Sequence, residues 1–487
     1  MQPKGKKILT EEITDKSTKK KNKEHYKMLL ADYPNLWENR SQDDFDHAFA
    51  FADEYKRFLD IGKTEREFIK TAIESVESLG FVDIAAVSSL TPGKKVYQSI
   101  KGKGLMLAVI GKMPITDGMN ILGSHVDSPR LDLKPNPLYE ENEMVYLKTH
   151  YYGGIKKYQW PTIPLAIHGL VIRQDGSNIF LNIGENDDDP IFYITDLLPH
   201  LGTEQMAKKA TEVIRGEDLN LLIGGRPIAD KDASDRFKLG ILDYLHTEYG
   251  MVEKDFVSAE IEIVPAMKAR DVGFDRSFVA AYGHDDKVCA FPALMAILQQ
   301  ERPATTSVVM LSDKEEIGSY GNSGAQSRLY ENFFVELFVK SNGVYDELLY
   351  RKAIAASKML SADVTNGFDP TFASVSDPKN SAYLARGIAM EKYVGSRGKS
   401  GTNDANSEFF SNILRVFAKN NIPWQTGELG KIDAGGGGTI AVYMANMGME
   451  VIDCGVPVLS MHAPYEVISK IDLYFTYLAY KTFLEEM

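Results

Sequence analysis

Cysteine is nearly absent: the 487 residues hold two, Cys289 and Cys454, neither at a paired metal-ligand spacing. That excludes a disulfide framework and a thiolate zinc cluster, and both are expected to be buried free thiols. Long apolar runs are missing as well. None approaches the ~18 residues that span a bilayer, and the amino-terminal stretch lacks a signal peptide's apolar core while carrying Glu11, Glu12 and Asp15 among its lysines. A reducing cytoplasmic location is therefore expected. Basic surplus is lacking too. With 55 Lys and Arg against 68 Asp and Glu, the net charge of -13 argues against nucleic acid or an anionic membrane as partner. No internal repeat is visible, which removes solenoid architectures. The loops Gly395 to Gly401 and Gly435 to Gly438 lack the spacing of a phosphate-cradling P-loop.

What remains is a globular composition in a chain long enough for roughly two domains. From Asp43 to Leu79, Phe45, Phe49, Tyr55, Phe58, Leu59, Phe68, Ile69, Ala72 and Val76 recur at helical spacing, and Gly62 divides two helices. Strands follow at Gly104 to Ile110 and Met119 to Ser124. After Pro129 the texture changes to short alternating runs, Met144 to His150, Pro164 to Arg173 and Asn178 to Ile183, separated by Gly, Asn, Asp and Pro. A helical stretch near Asp230 to Thr247 precedes a closing run, Ser258 to Val264. The expected organisation is α/β, with residues 1–128 and 265–487 forming one domain, 1–42 a leader, and 129–264 a β-rich insert. Beyond it the pattern predicts a helix from Asp286 to Gln300, a strand at Ser307 to Leu311, and a helix starting near Tyr320. A strand at Lys358 to Val364, a helix from Thr439 to Met447, two strands between Glu450 and Met461 and a last helix, Ile471 to Glu486, complete it. The Lys-rich stretch Lys16 to Lys23 is expected to be a solvated leader.

Against this frame stands an ordered series of carboxylates and imidazoles: His125 and Asp127, Asp285 and Asp286, Glu315 and Glu316, Asp363, and His462. Several follow apolar runs, which puts them at strand ends, where open α/β sheets place their chemistry. Such ligands suit zinc, cobalt or manganese. A two-metal centre needs a carboxylate bridging ions roughly 3.5–4 Å apart and terminal ligands on each. Asp285 is the expected bridge, with His125 and Asp363 completing one site and Glu316 and His462 the other. Glu315, beside a ligand, is suited to accept the proton of a water. Asp127, two residues from His125 along an extended chain, can take its second ring proton and orient it.

The segments Ser-His125-Val-Asp127-Ser-Pro, Tyr152-Gly-Gly, Pro164-Leu-Ala-Ile-His168, Asp285-Asp286, Glu315-Glu316-Ile-Gly, Ser361-Ala-Asp363 and Met461-His462 together resemble the M18 aminopeptidases, the aspartyl aminopeptidase and aminopeptidase I group, from about Phe45 onward. The resemblance implies a mixed-sheet dinuclear-zinc peptidase domain interrupted by a β-rich dimerisation domain, with dimers building a tetrahedral dodecamer. It implies two divalent ions per subunit, held by His125, Asp285, Glu316, Asp363 and His462, with Glu315 as general base and Asp127 in support. It further implies that His168 reaches a neighbouring subunit's active site, and that the substrates are peptides with a free N-terminus, acidic residues being the group's expectation. Here Gly-His-Asp285-Asp286-Lys replaces the Leu-Asp-Asn of eukaryotic members, so the bridge can be argued one residue either way. The segment Lys392 to Gly401 looks like the bacterial branch; Lys392, Arg397 or Lys399 could pair a substrate carboxylate or be solvated loop charges. The rival readings are a carboxypeptidase or amide deacylase on the same scaffold, and a non-catalytic metal-binding assembly protein.

Overall fold

The computed structural model describes residues 25–26 and 29–487, so the Lys16 to Lys23 stretch lies outside the described residues. Two amphipathic helices, α1 (Gln42–Ile61) and α2 (Glu65–Ser78), open the fold, each started by a capping box, Ser41 with Asp44 and Thr64 with Glu67. Gly62 separates them as the spacing predicts. A Cβ at Gly62 would lie 3.1 Å from the Phe68 Cα, so glycine permits the helices to fold back on each other.

They cover a nine-stranded mixed sheet made of β1 (Val82–Asp83), β2 (Lys95–Ile100), β3 (Gly104–Val109), β4 (Met119–His125), β5 (Thr306–Ser312), β6 (Lys358–Ala362), β7 (Ile388–Glu391), β8 (Trp424–Thr426) and β9 (Glu450–Gly455). The spatial order is β1-β2-β3-β5-β4-β6-β9-β7-β8. At its centre β5, β4, β6 and β9 run parallel, so their carboxyl ends emerge together. Alternation along β3 sends Leu105, Leu107 and Val109 to one face and Met106 and Ala108 to the other. On the first face they pack with α1, α2, α3 (His284–Leu298) and α6 (Lys470–Glu486). On the second they meet α4 (Arg328–Asn342) and α5 (Glu347–Ala356). Both cysteines are buried and free.

Residues between β4 and β5 contribute a separate six-stranded sheet, antiparallel throughout, that begins at Arg130–Glu141 and closes with Glu260–Pro265. It has its own core around Trp160, Leu165, Ile263 and Leu221. Its helix, Arg236–Tyr249, starts later than the sequence suggests. A third sheet of five short strands includes Phe278–Ala281, Pro457–Leu459 and Glu466–Ser469; of these three only Pro457–Leu459 was expected, as the second of the strands between Glu450 and Met461, and β7 and β8 were not foreseen. One helix needs correction: the one expected near Tyr320 begins at Arg328. Gly318, Ser319 and Gly321 take left-handed φ values of 97, 59 and 87, which turn the chain before Ser327 caps α4. Among the described residues no helix is long and apolar enough to cross a membrane.

Candidate metal centre

His125 is the last residue of β4; Asp363 follows β6 directly and Glu315–Ile317 form a single 3-10 turn three residues after β5. Three neighbouring parallel strands thus deliver these side chains to one edge of the sheet, where no strand continues to cover them. Asp285 arrives from the small sheet: strand Phe278–Ala281 runs into Gly283, whose φ of 75 starts α3, and Asp285 and Asp286 are non-helical within its first turn. His462, with φ 65, sits in the turn after Pro457–Leu459.

Asp285 lies between the two histidines. Its Oδ1 is 3.2 Å from His125 Nε2 and its Oδ2 is 3.1 Å from His462 Nε2. Glu316 Oε2 is 3.5 Å from His462 Nε2, while Asp363 Oδ1 and Glu315 Oε2 lie 3.9 Å and 4.0 Å from His125 Nε2. Both imidazoles are oriented by their other nitrogen. Nδ1 of His462 donates to the Gly154 carbonyl at 2.8 Å, and Nδ1 of His125 lies 3.1 Å from the Asp127 carbonyl and 3.3 Å from its carboxylate. Each Nε2 therefore points into the cluster, where it donates to Asp285 and would instead offer its lone pair to a bound ion. Asp286 is tied to β4 through Oδ2, which accepts from the Ser124 hydroxyl and, at 3.3 Å, from the His125 N–H. His125 and Asp363 can also group with Asp286 around a single ion, so the alternative bridge has a geometric counterpart.

The charge balance fits a bound cation. Burial pushes the carboxyls of Glu316 and Asp363 well above their ordinary range and Glu315 up to about 7, with neighbouring carboxylates adding to each shift. Burial also opposes ionisation at Asp285, but its two histidines outweigh that and hold it well below the usual carboxylate range. Glu316 Oε1 and Asp286 Oδ1 are buried with no hydrogen-bond donor. Two imidazoles cannot satisfy this many inward carboxylate oxygens, whereas hard oxygen and imidazole donors around divalent zinc can.

Several supporting residues escaped the sequence reading. Asp127 does more than face His125: Oδ1 accepts the Glu315 N–H at 3.1 Å, and Oδ2 accepts the Glu316 N–H at 3.2 Å and the Tyr152 hydroxyl at 2.8 Å. Lys287, wholly buried, donates to the Ser128 hydroxyl, which donates to the Asp285 carbonyl, both at 2.7 Å. Glu466 accepts the N–H groups of Asp285 and His462. Tyr152, Ser128 and Lys287 stand in the motif segments without an assigned role, and Glu466 carried no signal. His168 is not brought to the cluster within the chain: it is buried in the insert sheet, its Nδ1 2.8 Å from Glu67 and its Nε2 3.0 Å from Glu185. Lys392 and Lys399 both pair with Asp404, at 2.9 and 2.7 Å.

A family model described as aminopeptidase I zinc metalloprotease (M18) matches residues 58–484. "Probable M18 family aminopeptidase 1" of Clostridium acetobutylicum is 49% identical over 460 residues, covering 94% of this chain and 99% of that one. The crystal structure of an M18 family aminopeptidase from Thermotoga maritima is 40% identical and aligns with a TM-score of 0.91, over 94% of this chain and 100% of that one. The mApe1 dodecamer of S. cerevisiae, 21% identical, shares the fold at a TM-score of 0.71 over 90% of this chain and 96% of its own. The carboxylate and imidazole cluster thus lies in a chain that belongs to the M18 family of zinc metallo-aminopeptidases.

Proposed function

We propose that this aminopeptidase removes the N-terminal residue of peptides at a dinuclear centre, with Asp285 bridging, His125 and Asp363 on one ion, and Glu316 and His462 on the other. The observation that carries this is Asp285 itself, one ionised carboxylate whose two oxygens each face a different imidazole. Zinc ions bound there would polarise the scissile carbonyl and acidify a water. Glu315 takes the proton of that water at its carboxylate and returns it to the leaving amine. Its burial suits the task, because a carboxylate withdrawn from water is a stronger base than one in solvent. Asp127 orients His125 and, through the Glu315 and Glu316 amides, keeps base and ligand in step. Approach is from the side of His462, which remains 35% exposed, against 6% for Asp285.

We infer further a cytoplasmic, dimer-based oligomer with the insert as dimerisation domain, assembled as a tetrahedral dodecamer; that the yeast relative is a dodecamer supports this reading. His168 would meet a neighbour's substrate only by giving up one of its two carboxylate partners.

The test is a panel of free-amine aminoacyl substrates, acidic, basic and apolar, assayed after chelation and after restoring zinc, cobalt or manganese. Metal-dependent release is expected, with Glu315→Gln retaining metal while kcat falls about 100-fold or more. Normal turnover in that variant removes Glu315 as base. Cleavage only of blocked substrates with a free carboxylate moves the assignment to the carboxypeptidase or deacylase.

A further inference from the structure

Two buried carboxylates outside the proposed ligand set each accept a pair of backbone N–H groups from residues of the site. Asp127 does so for Glu315 and Glu316. Glu466, 1% exposed, does so for two ligands of the same site: Oε2 accepts the Asp285 N–H at 3.1 Å and Oε1 the His462 N–H at 2.7 Å. It opens the strand Glu466–Ser469, whose first residue pairs with Ala281 at the end of Phe278–Ala281. That is the strand from which the chain turns into α3 and Asp285. Glu466 is also four residues beyond His462, so one side chain ties the turn carrying the histidine to the turn carrying the bridge. Neither turn is held by regular structure: Asp285 is non-helical inside α3, and His462 occupies a left-handed conformation that a non-glycine residue keeps only when its surroundings over-determine it.

We infer that Glu466 is a positioning residue that fixes His462 against Asp285 and so sets the metal subsite of His462 and Glu316. The inference rests on the two-metal reading above. The Asp285 backbone keeps a second anchor, the Ser128 hydroxyl on its carbonyl, whereas the backbone N–H of His462 has Glu466 as its acceptor and its second anchor, the Gly154 carbonyl, holds the ring and not the backbone. Loss of Glu466 should therefore weaken one subsite more than the other. A residue that merely supported the fold would not discriminate between them.

The experiment is zinc titration of the stripped full-length protein by calorimetry, with bound metal counted by elemental analysis, for wild type, Glu466→Gln and Glu466→Asp. In Glu466→Gln the amide oxygen can accept one N–H, but the NH2 group confronts the other donor. The expected result is a folded protein in which one binding step weakens about 10–100-fold, the other changes much less, and Glu466→Asp recovers part of the loss. A folded Glu466→Gln protein that binds two ions with wild-type affinity overturns the inference. If that variant does not fold, Glu466→Asp decides: selective weakening of one step upholds the assignment, and equal weakening or none overturns it. A wild-type protein that binds fewer than two ions overturns the dinuclear reading itself, and this inference with it.

Discussion

Asp127 has the His125 ring 3.3 Å from its fully buried carboxylate and hydrogen-bonded to its carbonyl, and three donors on the carboxylate itself: the Glu315 and Glu316 amides and the Tyr152 hydroxyl. The His-x-Asp spacing made the first visible, because two residues along an extended chain share a side. The others depend on a return of the chain from 188 residues away, and on a strand of the insert, and no local pattern encodes either. The same holds for Glu466, whose partners are brought together only by the small third sheet. Tyr152 tests how much the convergence is worth. Tyr152→Phe removes one hydrogen bond to an ionised acceptor and leaves the ring, which stacks under the Arg130 guanidinium at 4.0 Å. A loss of about 2 kcal/mol is expected in urea unfolding. A stability equal to wild type would mean that water replaces the hydroxyl at Asp127 Oδ2 at no cost.

Helices α1 and α2 were legible because periodicity and caps agree, and β3, β4, β5, β6 and β9 because strands buried on both faces, antiparallel β3 as well as the four parallel ones, read as continuous apolar runs. Strands of four residues or fewer, such as β7 and β8, carry too little pattern to register. The expectation at Tyr320 failed because the polar, glycine-bearing loop from Gly318 to Ser327 precedes the apolar face of α4. The caps themselves can be tested, since Glu67 serves two elements. Its Oε2 accepts from the Thr64 N–H and hydroxyl, both at 3.1 Å, closing the box on α2, while Oε1 accepts from His168 and from Asn182 of the insert. Thr64→Ala removes only the hydroxyl side of the box and should cost about 1 kcal/mol. Glu67→Ala also leaves His168 without one carboxylate and should cost about 3 kcal/mol. Equal losses in thermal or urea unfolding would show that the Glu67 to insert contact contributes nothing.

That contact belongs to the junction between the insert sheet and the rest of the chain. The insert was legible as a change of texture near Pro129 because an antiparallel sheet alternates and turns often, while the parallel centre does not. The junction was not, because it is assembled from charges that look solvated in sequence. Lys63 Nζ is 2.6 Å and Lys268 Nζ 2.8 Å from Glu185, and His168 bridges Glu185 and Glu67. Burial opposes the charge on each partner, but the pairing wins at three of them: His168 is raised above 6.5, Glu67 is lowered below 4.5, and Glu185 is lowered from 4.5 to about 2. At Lys63 burial prevails and lowers the ammonium, which offsets part of the gain. The raised histidine contributes stability that is complete below its unfolded value of 6.5 and is lost as pH rises through its folded value. The lowered glutamates contribute stability that is complete above 4.5 and is lost as pH falls toward about 2. Both contributions are therefore whole only between about 4.5 and 6.5. His168→Gln keeps a polar side chain of similar reach but cannot carry the charge. It should destabilise the protein by about 3 kcal/mol near pH 5.5 and by progressively less as pH rises through the raised folded value of the wild-type imidazole. Urea midpoints of the two proteins across that range provide the check. A gap between them that does not narrow as pH rises would mean that the imidazole is neutral between its carboxylates, and that the insert is held to the helical pair by packing rather than by charge.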